Sequence, residues 1–500
     1  MNYIGIDIGT SGCKAVVFDK DGGELASSYR EYTVLRPLEN WAELDSEDVL
    51  TKCFEVIKEV NSKVSEPVAA MGISSQGEAF TPVGAEGKII GKAMVSSDSR
   101  AVDLIPEFTE SFGEEKLYSI TGHTPHPLNT LFKLIWVKQN QPKVWEEARY
   151  FLCFEDLLHL KLGIRPHISW SMAGRTMLFD VIKHEWSEEI LSALGLDKSR
   201  LAQPVPSGQV VGKIDKATAK NLGFKNEVSV VSGGHDQTAA ALGAGIVEPG
   251  FCMYATGTVE CFCPILSKPA FSEQLRKNNL CCYDYTVEGN YTTVAYSLTG
   301  GNILKWVRNE LGYEERQQAE SLDGNAYTYL LEKMPDEPTK LLVLPYFSAT
   351  GTPYFDTKAK GAIVGLQHNT SKGEITKALL EGVAMEMKLN LQLMEEAGMC
   401  VNTFVATGGG TKNNAWTQLK ADVLNKKVIV RNVEEAGCYG AALLAQSAST
   451  GVPVKELIKS FNKSDNVFHP DSVKAEAYEQ KFESYKNLYP ALKQFWSVNN

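Results

Sequence analysis

The feature that most constrains the fold of this chain is a strand that leads through a glycine turn to an acid and then to a helix of small residues. A β-branched run from Val228 to Val231 predicts the strand, and Gly233-Gly234-His235-Asp236 follows directly. Alanine and glycine dominate the segment from there to Gly245. Such a turn presents one acid beyond the end of a strand, where a ligand can reach it. Asp236 is therefore our candidate catalytic base.

Asp236 also has a simpler interpretation, because an acid just before a helix can serve only as its N-cap. His235 is interpreted as a turn or packing residue rather than a ligand. The helix N-terminus leads us to expect a lowered pKa for Asp236, which would keep its carboxylate ionised at neutral pH.

Length and charge limit the classes of protein that the chain can belong to. A chain of 500 residues is too long for a single core and predicts two or three domains. Its net charge of -11 argues against a nucleic acid partner and against an anionic membrane surface. A small anionic ligand stays compatible, because it needs only a local cluster of donors.

The chain opens Met1-Asn2-Tyr3-Ile4-Gly5, without a basic segment before an apolar core, so no signal peptide is expected. Its longest apolar stretch is about half a membrane span. We therefore expect a cytoplasmic protein. The ten cysteines include no Cys-x-x-Cys pair and are interpreted as small buried apolar residues rather than a zinc site.

The order of predicted elements indicates an α/β fold in two similar halves. Strands at 3–8, 13–18 and 24–32 precede a helix capped by Asp45 or Ser46, and another strand follows at 68–74. The second half mixes the same units: strands at 341–345, 404–407 and 427–430, and helices at 374–396, 416–424 and 438–448. Glycine and proline cluster at 245–250. We therefore predict domains at 1–246 and 247–500.

Two turns have the composition of phosphate-binding loops. Asp7-Ile8-Gly9-Thr10-Ser11-Gly12-Cys13-Lys14 is a strand, a glycine turn and a second strand, and such a turn exposes backbone N–H groups and two hydroxyls to an anion. Tyr254-Ala255-Thr256-Gly257-Thr258 repeats the pattern. Asp7 could hold Mg²⁺ through water. A plain hairpin accounts for the first turn equally well, and the second turn alone is a weaker indication of a phosphate site.

A third candidate is Thr407-Gly408-Gly409-Gly410-Thr411-Lys412-Asn413-Asn414. Three glycines between a strand and a helix allow a flat or charged ligand to approach the backbone closely, although a tight turn is the alternative. The segments Ser74-Ser75-Gln76-Gly77-Glu78 and Ser97-Asp98-Ser99-Arg100 could grip sugar hydroxyls or could be solvated loops. The P-loop, dinucleotide and hydrolase-elbow motifs are absent from the sequence.

Together these residues resemble the FGGY carbohydrate kinases, a branch of the actin-like ATPase superfamily. One family signature is matched by Thr130-Leu131-Phe132-Lys133-Leu134-Ile135-Trp136, although Leu128 departs from the usual residue two positions earlier. The second is matched throughout, from Gly361-Ala362-Ile363-Val364-Gly365-Leu366 to Ala378-Leu379-Leu380-Glu381. The resemblance spans nearly the whole chain, from Asp7 to about Ala448.

The resemblance implies two ribonuclease-H-like domains separated by a catalytic cleft, with the sugar bound by the first and most of the ATP by the second. It implies an ATP- and Mg²⁺-dependent sugar kinase, a ketose such as a pentulose as substrate, and a homodimer. Asp236 would be the base, Asp7 the Mg²⁺-associated acid, and Gln76, Glu78 and Asp98 the sugar ligands. The implied ATP-binding residues are Thr10, Ser11, Lys14, Thr256, Gly257, Thr258, Gly301, Gly409, Gly410 and Asn413.

Departures from the family bear on the substrate. Glycerol kinases have Arg-Glu where this chain has Gly77-Glu78, and Ser96 replaces a tryptophan, so glycerol is disfavoured. The Met-His pair of xylulokinases is also absent, which weighs against D-xylulose without excluding it. Two other classes stay open at this stage: an actin-like assembly protein that binds ATP, and an acetate-kinase-like enzyme with Arg100 as its carboxylate-binding residue.

Overall fold

The computed structural model describes residues 1–431, 433–459 and 465–499. Within these residues two six-stranded sheets form the framework. Each sheet has an antiparallel meander on one side, two further parallel strands, and an antiparallel strand at the far edge. The two halves of the chain therefore repeat one topology, as the sequence predicted.

The strands of the first sheet lie in the spatial order Val210–Lys213, Ser229–His235, Val68–Ser75, Asn2–Ile8, Gly12–Phe18 and Glu24–Glu31. Those of the second lie in the order Ala295–Ser297, Glu260–Pro264, Gly250–Thr256, Val401–Thr407, Lys427–Val430 and Asn466–Phe468. Short two-stranded pairs in the described chain join Glu43–Leu44 with Ala93–Met94, Thr81–Val83 with Tyr150–Leu152, His167–Ser169 with Gln203–Val205, Phe179–Asp180 with Glu185–Trp186, Tyr283–Asp284 with Tyr291–Thr292, and Leu342–Leu344 with Ala362–Val364.

Helices pack on the faces of both sheets and form many of the connections between strands. Those of the first half are Ser46–Ser62, Ile105–Phe112, Glu114–Thr121, Thr130–Asn140, Pro142–Glu147, Phe154–Lys161, Trp170–Gly174, Glu188–Leu194, Lys216–Asn221 and Asp236–Gly243. Those of the second half are Glu273–Lys277, Gly301–Trp306, Tyr313–Leu322, Ala326–Glu332, Lys372–Glu396, Asn414–Leu424, Ala436–Thr450, Val454–Lys459, Ser472–Lys486 and Leu488–Asn499.

The predicted elements agree closely with these bounds. The long helix expected at 374–396 spans Lys372–Glu396, and the strand expected at 427–430 spans Lys427–Val430. Asp45 is the N-cap of the first helix, where its carboxylate accepts the N–H of Glu47. Nine of the cysteines are buried, as interpreted, and Cys400 is exposed.

The helix Ala436–Thr450 crosses from the second half of the chain onto the first sheet. A Cβ at Gly5 would lie 1.7 Å from the carbonyl oxygen of Cys438, and a Cβ at Gly72 would lie 2.1 Å from that of Ala441. Only glycine allows the helix backbone to come this close to the strands. Packing therefore does not follow the predicted boundary at 246/247 in this region, and that boundary stays a prediction.

Candidate active site

Asp236 lies at the end of the strand Ser229–His235 and is the first residue of the helix that follows. The N-cap of that helix is His235, so Asp236 is not the capping residue considered above. Its side chain keeps 30% exposure, whereas the neighbouring His235 side chain keeps 7%. The turn thus presents one acid at the end of a buried strand, as the sequence pattern predicted.

A β-bulge immediately precedes this acid. The pairing with the strand Val68–Ser75 shifts register between Ser232 and Gly234, so Gly233 is the extra residue. A Cβ at Gly233 would lie 1.8 Å from the carbonyl oxygen of Ile73, which explains why glycine is required there. The bulge changes the direction of the strand just before its functional end.

The pKa of Asp236 is raised to about 7, which corrects our expectation of a lowered value. Desolvation is the largest cause, and the negative charges of Asp7 and Glu78 add to it. The N–H of Gln237 and the positive charge of Arg175 oppose the shift but do not offset it. The increase in pKa caused by burial and two neighbouring acids is thus larger than the decrease caused by the helix N-terminus.

His235 packs between the acid and a tyrosine from the second half of the chain. Its Nδ1 hydrogen-bonds the Tyr283 hydroxyl at 2.9 Å, and its Nε2 lies 3.1 Å from Asp236 Oδ1. Burial lowers the pKa of His235 well below its usual value, so the ring is neutral at pH 7. A Cβ at Gly77 would lie 3.0 Å from the ring, so Gly77 leaves the space that the imidazole occupies.

Glu78 forms a buried ion pair with Arg175, a residue that sequence reasoning did not single out. Arg175 Nε donates to Glu78 Oε1 at 2.6 Å, and Nη2 contacts the same oxygen. Arg175 Nη1 also lies 3.0 Å from His123 Nε2. The pair belongs to the electrostatic surroundings of Asp236. No sequence motif surrounds Arg175, so only the tertiary structure identifies it.

Asp98 has hydrogen-bond partners within the protein, and its contact with a sugar hydroxyl stays a prediction. Arg100 donates to both of its oxygens, and the backbone N–H of Ala42 donates to Oδ2 at 2.7 Å. Arg100 also pairs with Glu43 at 2.8 Å and lies 3.5 Å from the ring centroid of Trp41. Arg100 is therefore not an open carboxylate-binding residue.

Gln76 fixes the first turn, and its contact with the sugar stays a prediction. Its Nε2 donates to the carbonyl oxygen of Gly9 at 2.8 Å, and its Oε1 accepts the Thr10 hydroxyl at 3.2 Å. The side chain is buried. Gln76 thereby holds the backbone of the glycine turn, while Ser11 stays exposed at its tip.

Asp7 lies at the end of its strand and keeps one oxygen uncommitted by the contacts described. Oδ1 accepts the Ser74 hydroxyl at 2.8 Å. Oδ2 lies 3.0 Å from the position that a Cβ at Gly437 would take, so the absent side chain leaves room beside it. Desolvation, together with the charge of Glu435, raises the pKa of Asp7. A carboxylate oxygen facing such a space fits the water-mediated binding of a hard divalent cation.

Lys14 contacts a residue that lines the cleft at the glycine-rich loop. Lys14 Nζ contacts Glu435 Oε1 at 2.5 Å. Glu435 also lines a cleft together with Gly408, Gly409 and Lys412. The structure therefore brings the first turn and the triple-glycine turn to the same region, although they are separated by about four hundred residues of sequence.

The individual glycines of the second half differ in what they face. A Cβ at Gly409 or Gly257 would meet nothing within 4 Å, whereas one at Gly410 would lie 2.3 Å from Thr256 Cγ2. Gly301 donates its N–H to the carbonyl oxygen of Gly257 at 2.8 Å. Gly409 and Gly257 thus border open space, and Gly410 and Gly301 are required by packing.

Two predicted ATP-binding side chains have internal partners. The Thr256 hydroxyl is buried and contacts Lys420 Nζ and Glu260. Asn413 caps the helix Asn414–Leu424, because its Oδ1 accepts the N–H of Trp416 at 3.0 Å. Thr258, in contrast, is exposed. These contacts give Thr256 and Asn413 structural roles within the protein. Their contact with ATP stays a prediction.

The architecture and the site define a class: a two-part α/β protein with an acid at a strand end and glycine turns in both halves of the chain. The model "FGGY family of carbohydrate kinases, N-terminal domain" matches residues 2–243, and the corresponding C-terminal domain matches residues 252–449. The chain belongs to the FGGY family of carbohydrate kinases, and is a phosphotransferase that uses ATP to phosphorylate an alcohol group of a small sugar. The fold is that of the actin-like ATPases, and the assembly-protein and acetate-kinase alternatives are set aside.

Relatives align along almost the entire chain. The xylulose kinase of Bacillus subtilis (strain 168) is 26% identical, with 99% of this chain and 98% of that protein covered. The glycerol kinase of Geobacillus sp. (strain WCH70) is 29% identical, with 98% and 99% covered. The crystal structure of ligand-bound xylulose kinase from Lactobacillus acidophilus superposes with a TM-score of 0.91 at 22% identity, with 100% of both chains covered. Among the described residues, no helix combines the length and apolarity needed to span a bilayer.

Proposed function

We propose that this kinase transfers the γ-phosphoryl group of Mg-ATP to a hydroxyl of a ketose such as a pentulose, with Asp236 as the general base. The observation that carries the proposal is the carboxylate of Asp236, partly open at the strand end, with its pKa raised to about 7. Xylulose kinases among the full-length relatives favour a ketose. The departures at Gly77 and Ser96 disfavour glycerol.

The base acts on the attacking hydroxyl of the sugar. In the closed cleft that hydroxyl lies roughly 3 Å from Asp236, within hydrogen-bond reach. A pKa near 7 makes Asp236 basic enough to accept the proton and still largely ionised above neutral pH. The proton moves from the hydroxyl to the carboxylate as the oxygen attacks phosphorus.

The turns hold the phosphates by their backbone N–H groups. Gln76 keeps the first turn in shape, and the open faces of Gly257 and Gly409 allow the nucleotide to approach the second-half turns. Transfer is in line, so most of the acceleration comes from positioning and charge stabilisation.

Asp7 is the residue that would hold Mg²⁺ through water, at the oxygen beside Gly437. When bound, the cation neutralises charge on the β- and γ-phosphates. Lys14, held by Glu435, adds a positive side chain at the border of the same cleft.

We place the sugar beside Glu78 and Arg175, and Gln76 and Asp98 stay further predicted sugar ligands. Glu78 lies close enough to Asp236 to influence its pKa, and Arg175 shares a pocket with His126, Tyr296 and Phe355. Burial lowers the pKa of His126 to about 4, so its ring is neutral at pH 7, and its Nδ1 accepts the N–H of Leu128 at 3.1 Å. Neutral polar groups and aromatic faces suit a polyhydroxylated ligand.

Measurement of ADP release with Mg-ATP across ketoses, aldoses, polyols and aldonic acids tests the proposal. We expect turnover stimulated by a ketose, with the highest kcat/KM for a five-carbon one. ATP hydrolysis that no sugar stimulates, or a clear preference for glycerol, would contradict it. The Asp236→Asn variant, purified identically, controls for contaminating kinases.

The homodimer and the cytoplasmic location stay predictions of this proposal. Light scattering at several protein concentrations checks the first, and fractionation of the source cells checks the second.

A further inference from the structure

The backbone of the bulge before Asp236 is held by a side chain from a different element. Glu155, on the helix Phe154–Lys161, accepts the N–H of Gly233 at 2.9 Å through Oε1. That N–H belongs to the extra residue of the bulge, which stands outside the register of the parallel pairing. A buried backbone donor without a partner is costly, so the bulge needs an acceptor at this point.

The other oxygen of Glu155 is fixed as well. Oε2 accepts the hydroxyl of Ser169 at 2.8 Å and the backbone N–H of Ser169 at 3.1 Å. Two residues later, the Ser171 hydroxyl accepts the N–H of His235 at 3.2 Å. The segment 169–171 and Glu155 therefore hold the strand on both sides of Gly234.

Glu155 accepts three hydrogen bonds, from the N–H of Gly233 and from the N–H and the hydroxyl of Ser169. The position therefore requires a side chain that accepts at both ends. A carboxylate offers acceptors on both oxygens, whereas a glutamine amide would turn two N–H groups towards one of the donors. Glu155 is fully buried, and burial raises its pKa to about 7. No cation contacts it among the described residues, so its role is not that of an ion-pair partner.

We propose that Glu155 is a positioning residue for the phosphoryl transfer: by accepting the N–H of Gly233 it sets the bulge that aims Asp236 at the sugar hydroxyl. The proposal rests on the proposed function of Asp236 and adds a residue that acts only through it. Glu155 does not touch the substrate, and its loss affects the orientation of the base.

The test compares Glu155→Gln with a matched control. Glu386 is also a fully buried glutamate with its pKa raised to about 7, and it accepts two tyrosine hydroxyls in the core of the second half. We expect Glu155→Gln to lower kcat by about 10- to 100-fold, the range for one hydrogen bond to a charged group. KM for ATP should stay unchanged. Glu386→Gln should lower thermal stability without changing kcat.

Ser169→Ala is a second variant with a smaller expected effect. It removes the hydroxyl that donates to Glu155 and leaves the N–H of Gly233 paired with Glu155. We expect a kcat reduction smaller than that of Glu155→Gln, about twofold to fivefold. If Glu155→Gln does not fold, Ser169→Ala and Ser171→Ala still report on the same network.

A double-mutant cycle separates positioning from a general structural role. If Glu155 acts through Asp236, adding Glu155→Gln to Asp236→Asn should lower the residual kcat by less than twofold, because the base is already absent. Additive losses, or full kcat in Glu155→Gln, would overturn the inference. Near-wild-type turnover in Asp236→Asn alone would instead overturn the proposed function, so the two failures are distinguishable.

Discussion

Lys14 Nζ meets Glu435 Oε1 at 2.5 Å and joins the first glycine turn of the chain to the residue just before the helix Ala436–Thr450. Glu435 also borders the cleft that Gly409 lines. The contact therefore connects the two halves of the molecule at the position proposed for the phosphates. Sequence patterns could suggest each turn separately, and the tertiary structure shows that Glu435 lies between them.

Removal of the Asp236 charge with its shape retained tests the base directly. Asp236→Asn should reduce kcat by about two to four orders of magnitude, the scale of a positioned general base. KM for ATP should change little, because the proposed nucleotide contacts lie elsewhere. Steady-state ADP release measures both parameters, and a variant with ordinary turnover would remove Asp236 from its assigned role.

The pH dependence of turnover follows from the pKa of Asp236. With that pKa raised to about 7, the protonated, inactive form accumulates as the pH falls through 7. The kcat/KM for the sugar should therefore drop about tenfold per pH unit below about pH 6.5. A pH profile with saturating Mg-ATP provides the measurement. An acidic limb near pH 4 would show that the base is far less shielded from water than the structure indicates.

Gly409→Val tests the nucleotide side of the cleft. The new Cβ meets no protein atom within 4 Å, so the substitution fills open space without an internal clash. We expect the Kd for ATP to rise at least about tenfold, because the side chain occupies the approach to the loop backbone. Calorimetric titration of ATP measures the change, and an unchanged sugar affinity is the internal control. Unaltered ATP binding would show that the loop does not contact the nucleotide.

Asp98→Asn separates a structural role from a sugar contact. Arg100 and Asp98 are both fully buried, and removal of one partner of such a pair costs about 3 kcal/mol of folding free energy. We therefore expect a lower midpoint in urea unfolding and an unchanged KM for the sugar in the folded enzyme. A stable variant with a strongly raised KM would return Asp98 to the substrate site.

Much of the site could be read from local patterns. The strand, glycine turn and acid around Asp236 and the glycine turns at Gly9 and Gly409 are short-range features, because backbone geometry alone requires these residue types. Gln76 and Asp98 each lie in a polar segment that follows a strand, and the family resemblance implied that they bind the sugar. Their partners within the protein, Gly9 and Arg100, become visible only when the chain is folded.

The pKa of Asp236 and the roles of Arg175 and Glu155 depend on distance in space. Asp236 was expected to be more acidic because a helix begins there, but burial beside Asp7 and Glu78 has the larger effect. Arg175 and Glu155 lie in segments without a recognisable motif, and their partners are remote in sequence.

By itself the amino-acid sequence determined the repeated α/β elements, the glycine turns and the acid at the strand end, because hydrophobic periodicity and backbone freedom are local properties. Only the tertiary structure decided which polar groups have hydrogen-bond partners within the protein and which face the cleft. Burial, hydrogen-bond pairing and electrostatic shifts arise from neighbours that the chain brings together when it folds.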